Sequence, residues 1–370
     1  MAQVVIIQRT LKFYRLPFYN LLRQKLASRG IKLVLIYGAD DKIKFNDAEL
    51  DWGIKIKNYK VNLFGQRLYY QPTLEYIKDA DLIIVEQASK LLINYYLWSL
   101  NLIGYKKLAF WGHGISFQNY NYKGVSEVVK KFMTRKVRWF FAYNDLSKKV
   151  LESIGYPAKR ITTVYNTIDV ESILEAKKSW CENKLNQIKE QLGIESNNIC
   201  LFVGGMYAEK RLDFLIDSLF LVKKAIDDLH VIFIGEGPAT TIVKNVLAEN
   251  KWIHYLGFKN NIDKVPYAMI SKLIVIPSLV GLSIIDSFCF APLVTTNVKG
   301  HGPEIDYLGN GKNGIMTENN ITDYSSTIID LLQNEEKRLM LVEGCKQAAK
   351  KYTMENMVNN FYDGIVNALL

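Results

Sequence analysis

Short apolar runs alternate with longer amphipathic segments along the whole chain, and the alternation occurs in two successive sets. The first set of strand candidates is Val4–Ile7, Leu33–Tyr37, Leu82–Val85, Lys107–Trp111, Trp139–Tyr143 and Ile161–Tyr165. The second is Ile199–Val203, Val231–Ile234, Ile253–Leu256, Leu273–Ile276 and Leu293–Thr296. Between them lie helical spacings such as Tyr19, Leu22 and Leu26, or Leu212, Leu215, Leu219 and Val222. Strand–helix alternation of this kind predicts α/β architecture with two Rossmann-like, doubly wound parallel sheets. The near-continuous apolarity of the strands fits sheets covered on both faces.

The polar segment from Glu171 to Asn198 is the natural boundary, with Leu174, Leu185, Ile188 and Leu192 as its only sustained apolar content. The expected units are an N-terminal domain over 1–175, a second over 176–352, and a helix over 353–370 packing back toward the first. At 370 residues the chain is long enough for both. Ligands of open parallel sheets bind outside the carboxyl ends of the strands, so two such sheets facing a cleft suit a large polar substrate.

Only 8 prolines and 23 glycines, with no low-complexity tract, exclude collagen-like and disordered readings. Cys181, Cys200, Cys289 and Cys345 lie far apart without a C-x-x-C or a histidine cluster, so neither a disulfide framework nor a zinc site is expected. The chain opens with no secretory pattern, and the uncharged stretch between Lys90 and Lys106 is too short and too polar to span a bilayer. The expectation is a cytoplasmic protein. Charge is uneven: residues 1–180 hold 29 basic and 15 acidic side chains, residues 181–370 hold 18 and 22. A basic front half suits an anionic membrane surface, nucleic acid or a phosphorylated substrate.

Five segments carry chemistry. Phe202-Val-Gly-Gly-Met-Tyr-Ala-Glu-Lys-Arg-Leu-Asp213 follows a strand and opens a helix. Gly204 and Gly205 let backbone approach an anion, and Lys210 and Arg211 can add charge to phosphate oxygens, unless the segment is a plain turn with solvated cations. Gly235 and Gly237, in Ile234-Gly-Glu-Gly-Pro238, either shape a ligand pocket or serve a tight turn. In Pro277-Ser-Leu-Val-Gly-Leu-Ser-Ile-Ile-Asp286, Gly281 gives the backbone room, and Asp286 is a lone acid in an apolar helix that needs partners. A ribose diol is one such partner; the other reading is an exposed helix face. Gly300-His-Gly-Pro-Glu-Ile305 offers His301 and Glu304 to a sugar or phosphate, or forms a turn with a helix-start carboxylate. In Phe110-Trp-Gly-His-Gly-Ile115, His113 ends a strand, where it can bond a hydroxyl or phosphate, or simply complete a turn. The chain has no G-x-S-x-G elbow, H-E-x-x-H, G-x-G-x-x-G or Walker loop.

Taken in order, these segments resemble the retaining glycosyltransferases of the GT-B fold, the large group 1 or family 4 set. Tyr143 to Pro157 with Val164-Tyr-Asn-Thr-Ile-Asp169 is similar to that family's strand, helix, "G-x-P" and "N-G-x-D". Phe202–Lys210 resembles its "V-G-R-L-x-x-E-K" loop, Val231–Pro238 its "I-x-G-x-G-P", and Leu256-Gly-Phe258 its base-contacting "L-G-x" turn. Gly281 to Asp286 resembles the second half of "E-x7-E", and Gly302-Pro-Glu304 to Gly314 the "P-E-x-x-x-x-G-x-x-G" segment.

The resemblance implies transfer of a sugar from a nucleotide donor to an acceptor hydroxyl, with retention and with no metal or other cofactor. It assigns Lys210 to the donor pyrophosphate and the departing phosphate, and Asp286 to the ribose. The backbone at Phe258 would meet the base, and Gly204, Gly205, Gly235, Gly237, Gly281 and Leu282 would shape the donor pocket with Arg211, His301 and Glu304 near it. His113 would lie beside the transferred sugar, so the catalytic candidates are His113 and Lys210. Two departures stand out: Gly205 occupies the position of the family's arginine, and Ser278 that of the first acid of "E-x7-E". Tyr14-Arg-Leu-Pro-Phe18 replaces a glycine-rich first loop, which makes Arg15 a candidate for the acceptor.

Lys130-Lys-Phe-Met-Thr-Arg-Lys-Val-Arg-Trp-Phe-Phe141 interleaves cations with aromatics, and Ser89–Tyr105 adds a Leu- and Tyr-rich stretch. These either dock an anionic inner leaflet near a polyprenyl-diphosphate-linked glycan acceptor or form a buried strand behind a solvated basic helix. Nucleic acid as partner is disfavoured, because no recognised module is present. The leading expectation is a hexosyl- or N-acetylhexosaminyltransferase of surface polysaccharide, O-antigen or capsule synthesis, using UDP- or GDP-linked sugars. The alternatives are a catalytically inactive GT-B-fold binding protein, and an epimerase or phosphorylase on the same architecture.

Overall fold

The computed structural model describes residues 1–39, 47–63, 65–114 and 125–370. Ile115, the last residue of the His113 segment, lies outside them. The chain divides into a front unit, Met1–Ile168 with Met354–Leu370, and a rear unit, Asp169–Thr353. Helix Val170–Lys178 therefore sides with the rear unit, where it packs on Val265–Met269 and Ser283–Cys289.

The front unit contains β1 (Gln3–Gln8), β2 (Lys32–Ala39), β3 (Ile54–Lys57), β4 (Tyr59–Leu63), β5 (Gln66–Tyr70), β6 (Leu82–Glu86), β7 (Lys107–Gly112), β8 (Trp139–Ala142) and β9 (Ile161–Thr163). Seven of these form one parallel sheet in the order β3-β2-β1-β6-β7-β8-β9. The antiparallel pair β4 and β5 stands apart from it, with Tyr59 opposite Tyr70. The rear unit contains β10 (Ile199–Val203), β11 (His230–Ile234), β12 (Ile253–Tyr255), β13 (Leu273–Val275), β14 (Leu293–Thr296) and β15 (Gly314–Thr317). They form a second parallel sheet, ordered β12-β11-β10-β13-β14-β15.

Because side chains alternate across a strand, Val4 and Ile6 enter one core of the front unit while Val5 and Ile7 enter the other. The first core is closed by helix Leu16–Ala27 and by helix Met354–Leu369. Phe361 stacks on Phe141 at 4.2 Å between ring centroids and meets Trp111 and Phe18 edge-on. Gly364 lets that helix come close; a Cβ there would stand 2.5 Å from the Phe141 ring. Full burial of Phe361 contributes roughly 1.5–3 kcal/mol.

In each sheet the strand order reverses beside the first strand, between β1 and β6 and between β10 and β13. Such reversals open a crevice at the strands' carboxyl ends. In the rear unit this brings the loop after β10 against the loop after β13. No helix among the described residues is long and apolar enough to cross a membrane.

Candidate active site

The rear site begins with backbone meeting backbone at the ends of three neighbouring strands. The N–H groups of Gly204, Met206 and Gly235 donate to Ile234, Glu236 and Gly257 at 3.0, 2.9 and 2.8 Å, extending the sheet into its loops. Gly235 has φ +140°, and a Cβ there would fall 1.9 Å from the carbonyl oxygen of Gly204. A Cβ at Gly237 would meet the Met206 carbonyl at 2.3 Å. These two glycines thus bring the loops together before they can shape any pocket.

The chain then turns through a short 3-10 helix, Ala208–Lys210, and leaves it at Arg211 in the left-handed region, φ +53°. That turn folds Lys210 back, leaving it 6 % exposed, with its Nζ 3.6 Å from where a Gly204 Cβ would sit. Nζ donates to the carbonyl of Leu279 at 2.7 Å. Desolvation pushes its pKa down to about 8, so it remains mostly cationic near neutrality. Leu279 is itself left-handed, φ +47°, which turns its carbonyl to the lysine.

His301 braces this second loop. Its Nε2–H donates to the Thr296 carbonyl at 2.7 Å, and its Nδ1 accepts from the Val280 N–H at 3.1 Å. Burial lowers its pKa, the Thr296 bond working against that and the Lys210 charge with it, so the ring is the neutral Nε2–H form. Both ring nitrogens are therefore engaged by the fold, and the histidine holds a loop. Gly302 donates to the Val280 carbonyl at 2.7 Å, with buried Glu304 one turn on. Beside Gly281 a Cβ would meet no heavy atom within 4 Å, and Leu282 next to it is partly buried.

Three candidates sit differently from the expectation. Asp286, assigned to a ribose by resemblance, forms an ion pair with Lys264 at 2.5 Å, both side chains 7 % exposed. Lys264 also reaches Asn261 at 3.1 Å. Sequence reading missed it, since nothing in the spacing couples the start of helix Val265–Met269 to an acid in the next helix. Arg211 is not aimed at Gly204: it bonds Asn319 and lies 4.2 Å from the Phe214 ring centroid. Gly205 is roofed by the exposed Tyr207, whose ring would stand 2.5 Å from a Cβ, so a side chain in the position of the family's arginine would have to displace that ring. Phe258 is exposed at the end of β12.

In the front unit His113 follows β7 and packs on Tyr143 at 4.2 Å between ring centroids. Desolvation, then the charges of Lys130 and Arg15, push its pKa down to about 3, so it is a neutral hydrogen-bonding group at pH 7. Arg15 is buried in an aromatic box, its guanidinium 4.5 Å from Trp111, 5.1 Å from Tyr14 and 5.7 Å from Tyr143. Its Nη1 has no hydrogen-bond partner among the described residues. The basic stretch over 130–141 divides: Lys130 and Lys131 lie on helix Val125–Lys136, while Trp139, Phe140 and Phe141 are a buried strand. The strand aromatics thus face the core, and Phe132 alone of the stretch's aromatics is exposed beside the cations.

Residues 197–334 match the family model described as "Glycosyl transferases group 1". Within that span lie the Lys210 loop, the glycines of 235 and 237, Asp286, His301 and Glu304. A glycosyltransferase of Methanocaldococcus jannaschii, described as uncharacterized, is 31% identical over 168 residues, 44% of this chain and 46% of that protein. The match thus spans about half the length of that relative. Among solved structures, Anabaena Alr3699/HepE in complex with UDP superposes with a TM-score of 0.74 at 13% identity, over 98% of this chain and 99% of that one. Sucrose-phosphate synthase from Thermosynechococcus elongatus gives 0.68 at 12% identity, over 98% and 97%. Fold and matched sequence together define a two-domain, Rossmann-like GT-B protein. Residues 197–334, under half of the chain, are similar to the group 1 glycosyltransferases.

Proposed function

We propose that this chain is a glycosyltransferase that takes a hexose or N-acetylhexosamine from a nucleotide-sugar donor and passes it to a hydroxyl of a glycan acceptor. The observation that carries the reading is Lys210: a buried cation on a glycine loop, at the carboxyl end of the strand where the sheet order reverses. A lysine held at a desolvation cost is matched to the charge that develops on a departing diphosphate. HepE was solved with UDP and with UDP-glucose, which makes a uridine donor the first to test.

In this reading the rear unit holds the donor and the front unit the acceptor. The acceptor oxygen bonds the anomeric carbon on the face from which the diphosphate leaves, with retention, and its proton passes to the leaving phosphate oxygen. Lys210 stabilises that phosphate, and neutral His113 bonds a sugar hydroxyl. No metal ion is required. Because Asp286 is engaged by Lys264, the ribose is held through the loop backbone or by displacing that pair. A binding protein without catalysis is the second reading, favoured by Gly205 beneath Tyr207 and by Ser278 in place of an acid.

The acceptor is lipid-linked, in surface-polysaccharide, O-antigen or capsule synthesis on the cytoplasmic side. Supporting this, helices Leu92–Leu102 and Val125–Lys136 expose Tyr95, Tyr96 and Phe132 near Lys130 and Lys131. Such a face suits anionic headgroups. Protein that ignores anionic vesicles at low salt would remove the membrane part alone. For the donor, melting shifts with UDP, GDP and common nucleotide sugars decide. A ligand at about 100 times its Kd stabilises by ~2.7 kcal/mol, and no shift with any nucleotide overturns the proposal. Release of free sugar or transfer from the donor separates the enzyme from the inactive binder.

A further inference from the structure

The rear site has a carboxylate that the donor reading does not yet use. In that reading the diphosphate sits at Lys210, in the loop after β10, and the base at Phe258, in the loop after β12. The sheet order places β11 between those two strands. Neighbouring strands lie about 4.8 Å apart, so the two ends of the nucleotide are separated by roughly 10 Å. The ribose joins base to phosphate, and it therefore passes over the loop after β11.

That loop is Gly235-Glu-Gly237, and its two glycines are required by close backbone contact, with Cβ positions 1.9 and 2.3 Å from the Gly204 and Met206 carbonyl oxygens. Glu236 is the one residue between them with a side chain to offer. Its main chain is fixed, because its carbonyl accepts from the Met206 N–H at 2.9 Å. Its carboxylate reaches across to the next loop: Oε1 lies 3.4 Å from where a Cβ of Gly257 would sit, one residue before Phe258. The side chain is exposed and makes no hydrogen bond or ion pair among the described residues.

We infer that Glu236 accepts the ribose hydroxyls of the nucleotide donor, leaving Asp286 to the fold. The 2′- and 3′-hydroxyls are adjacent donors, and a carboxylate presents two acceptor oxygens. Uracil suits the position less well, since its N3–H is flanked by two carbonyls that a carboxylate repels. Asp286 is already committed: it and Lys264 are each 7 % exposed and paired at 2.5 Å, and breaking a buried pair is strongly destabilising. The inference rests on the donor reading and gives its ribose a side-chain partner in the loop.

The test is calorimetric titration of the full chain with UDP, GDP and their 2′-deoxy counterparts. It reads the ratio of ribonucleotide to deoxyribonucleotide affinity. Repulsion between the carboxylate and the diphosphate is common to both members of a pair and cancels in that ratio. Wild-type protein should favour the ribonucleotide at least about tenfold, as for one hydrogen bond to a charged group. Glu236→Ala should bring the ratio to about one, and Glu236→Gln, which keeps one carbonyl oxygen, should fall between. The alanine variant should keep the wild-type melting temperature, because the side chain bonds nothing among the described residues. A wild-type ratio near one, or a ratio undiminished in Glu236→Ala, overturns the inference while binding of UDP or GDP leaves the donor reading standing. Binding of neither ribonucleotide removes both.

Discussion

Replacing Lys210 by Met separates a functional lysine from a structural one. Desolvation holds this group at about 8, against an ordinary 10.5. At 1.36 kcal/mol per pKa unit, keeping it charged in the fold costs about 3 kcal/mol. The folded value lies below the unfolded one, so that cost is fully present below pH 8 and is relieved as pH rises toward 10.5. Methionine removes the cost but leaves the Leu279 carbonyl without its 2.7 Å donor, worth about 1–3 kcal/mol. The variant should therefore melt at or above the wild-type temperature at pH 7, a net change of about 0 to +2 kcal/mol. Donor binding should move the other way. Loss of one charge-assisted bond to phosphate, about 1.5–3 kcal/mol, weakens UDP roughly 10- to 150-fold, and turnover falls about 10²- to 10³-fold. Calorimetric titration with UDP and melting curves of the free protein read both. A variant that melts lower than wild type and binds UDP equally well refutes the reasoning, since Lys210 would then be holding a loop and nothing else.

Other perturbations follow from the same geometry. Asp286→Ala leaves Lys264 buried and uncompensated and should cost about 3–5 kcal/mol in chemical denaturation, whereas the double change Asp286→Leu with Lys264→Met should recover much of it; equal losses in single and double variants would contradict the coupling. Gly235→Ala drives a Cβ into the Gly204 carbonyl and should abolish UDP binding or folding, while Gly281→Ala, with open space around it, should leave the melting temperature nearly unchanged; similar effects at both would count against the loop geometry. In a pH series, kcat/KM should decline as pH passes 8, where free Lys210 loses its proton, and neutral His113 should add no inflection between pH 5 and 7. Because the folded pKa of His113 is depressed, its contribution to stability is present above pH 6.5 and lost as acid takes the medium toward pH 3, so His113→Asn should flatten that fall. Activity unchanged by EDTA is expected, and restoration of activity by a divalent ion alone would contradict the metal-free reading.

Most of the strand framework was legible because buried parallel strands are written as compact apolar runs. Ile199–Val203 and Leu293–Thr296 have the bounds read from sequence, and the others shift by a residue or two. The strands that escaped notice are β3, with lysines at 55 and 57; the β4–β5 pair, whose strands carry Lys60, Asn62 and Arg67; and β15, which opens on glycine. All three depend on neighbours rather than on their own apolarity. In the site, Lys210 and its glycines were readable because strand, glycine pair, cation and helix follow one another directly. Asp286 was readable as an acid needing a partner, but not the partner, since Lys264 reaches it only through tertiary packing. For the same reason Arg15 was visible only as a cation near Pro17: its aromatic box draws Trp111 and Tyr143 from the ends of two distant strands. His301 looked available to a ligand until the carbonyl of Thr296 and the N–H of Val280 were found on its two nitrogens.

The most decisive single experiment is a crystal structure of the full chain grown with UDP. The expected result is a diphosphate oxygen within about 3 Å of Lys210 Nζ, with the uracil near the backbone of Phe258. UDP seated away from the loop that follows β10, with Lys210 still bound to the Leu279 carbonyl, would contradict the proposed donor site.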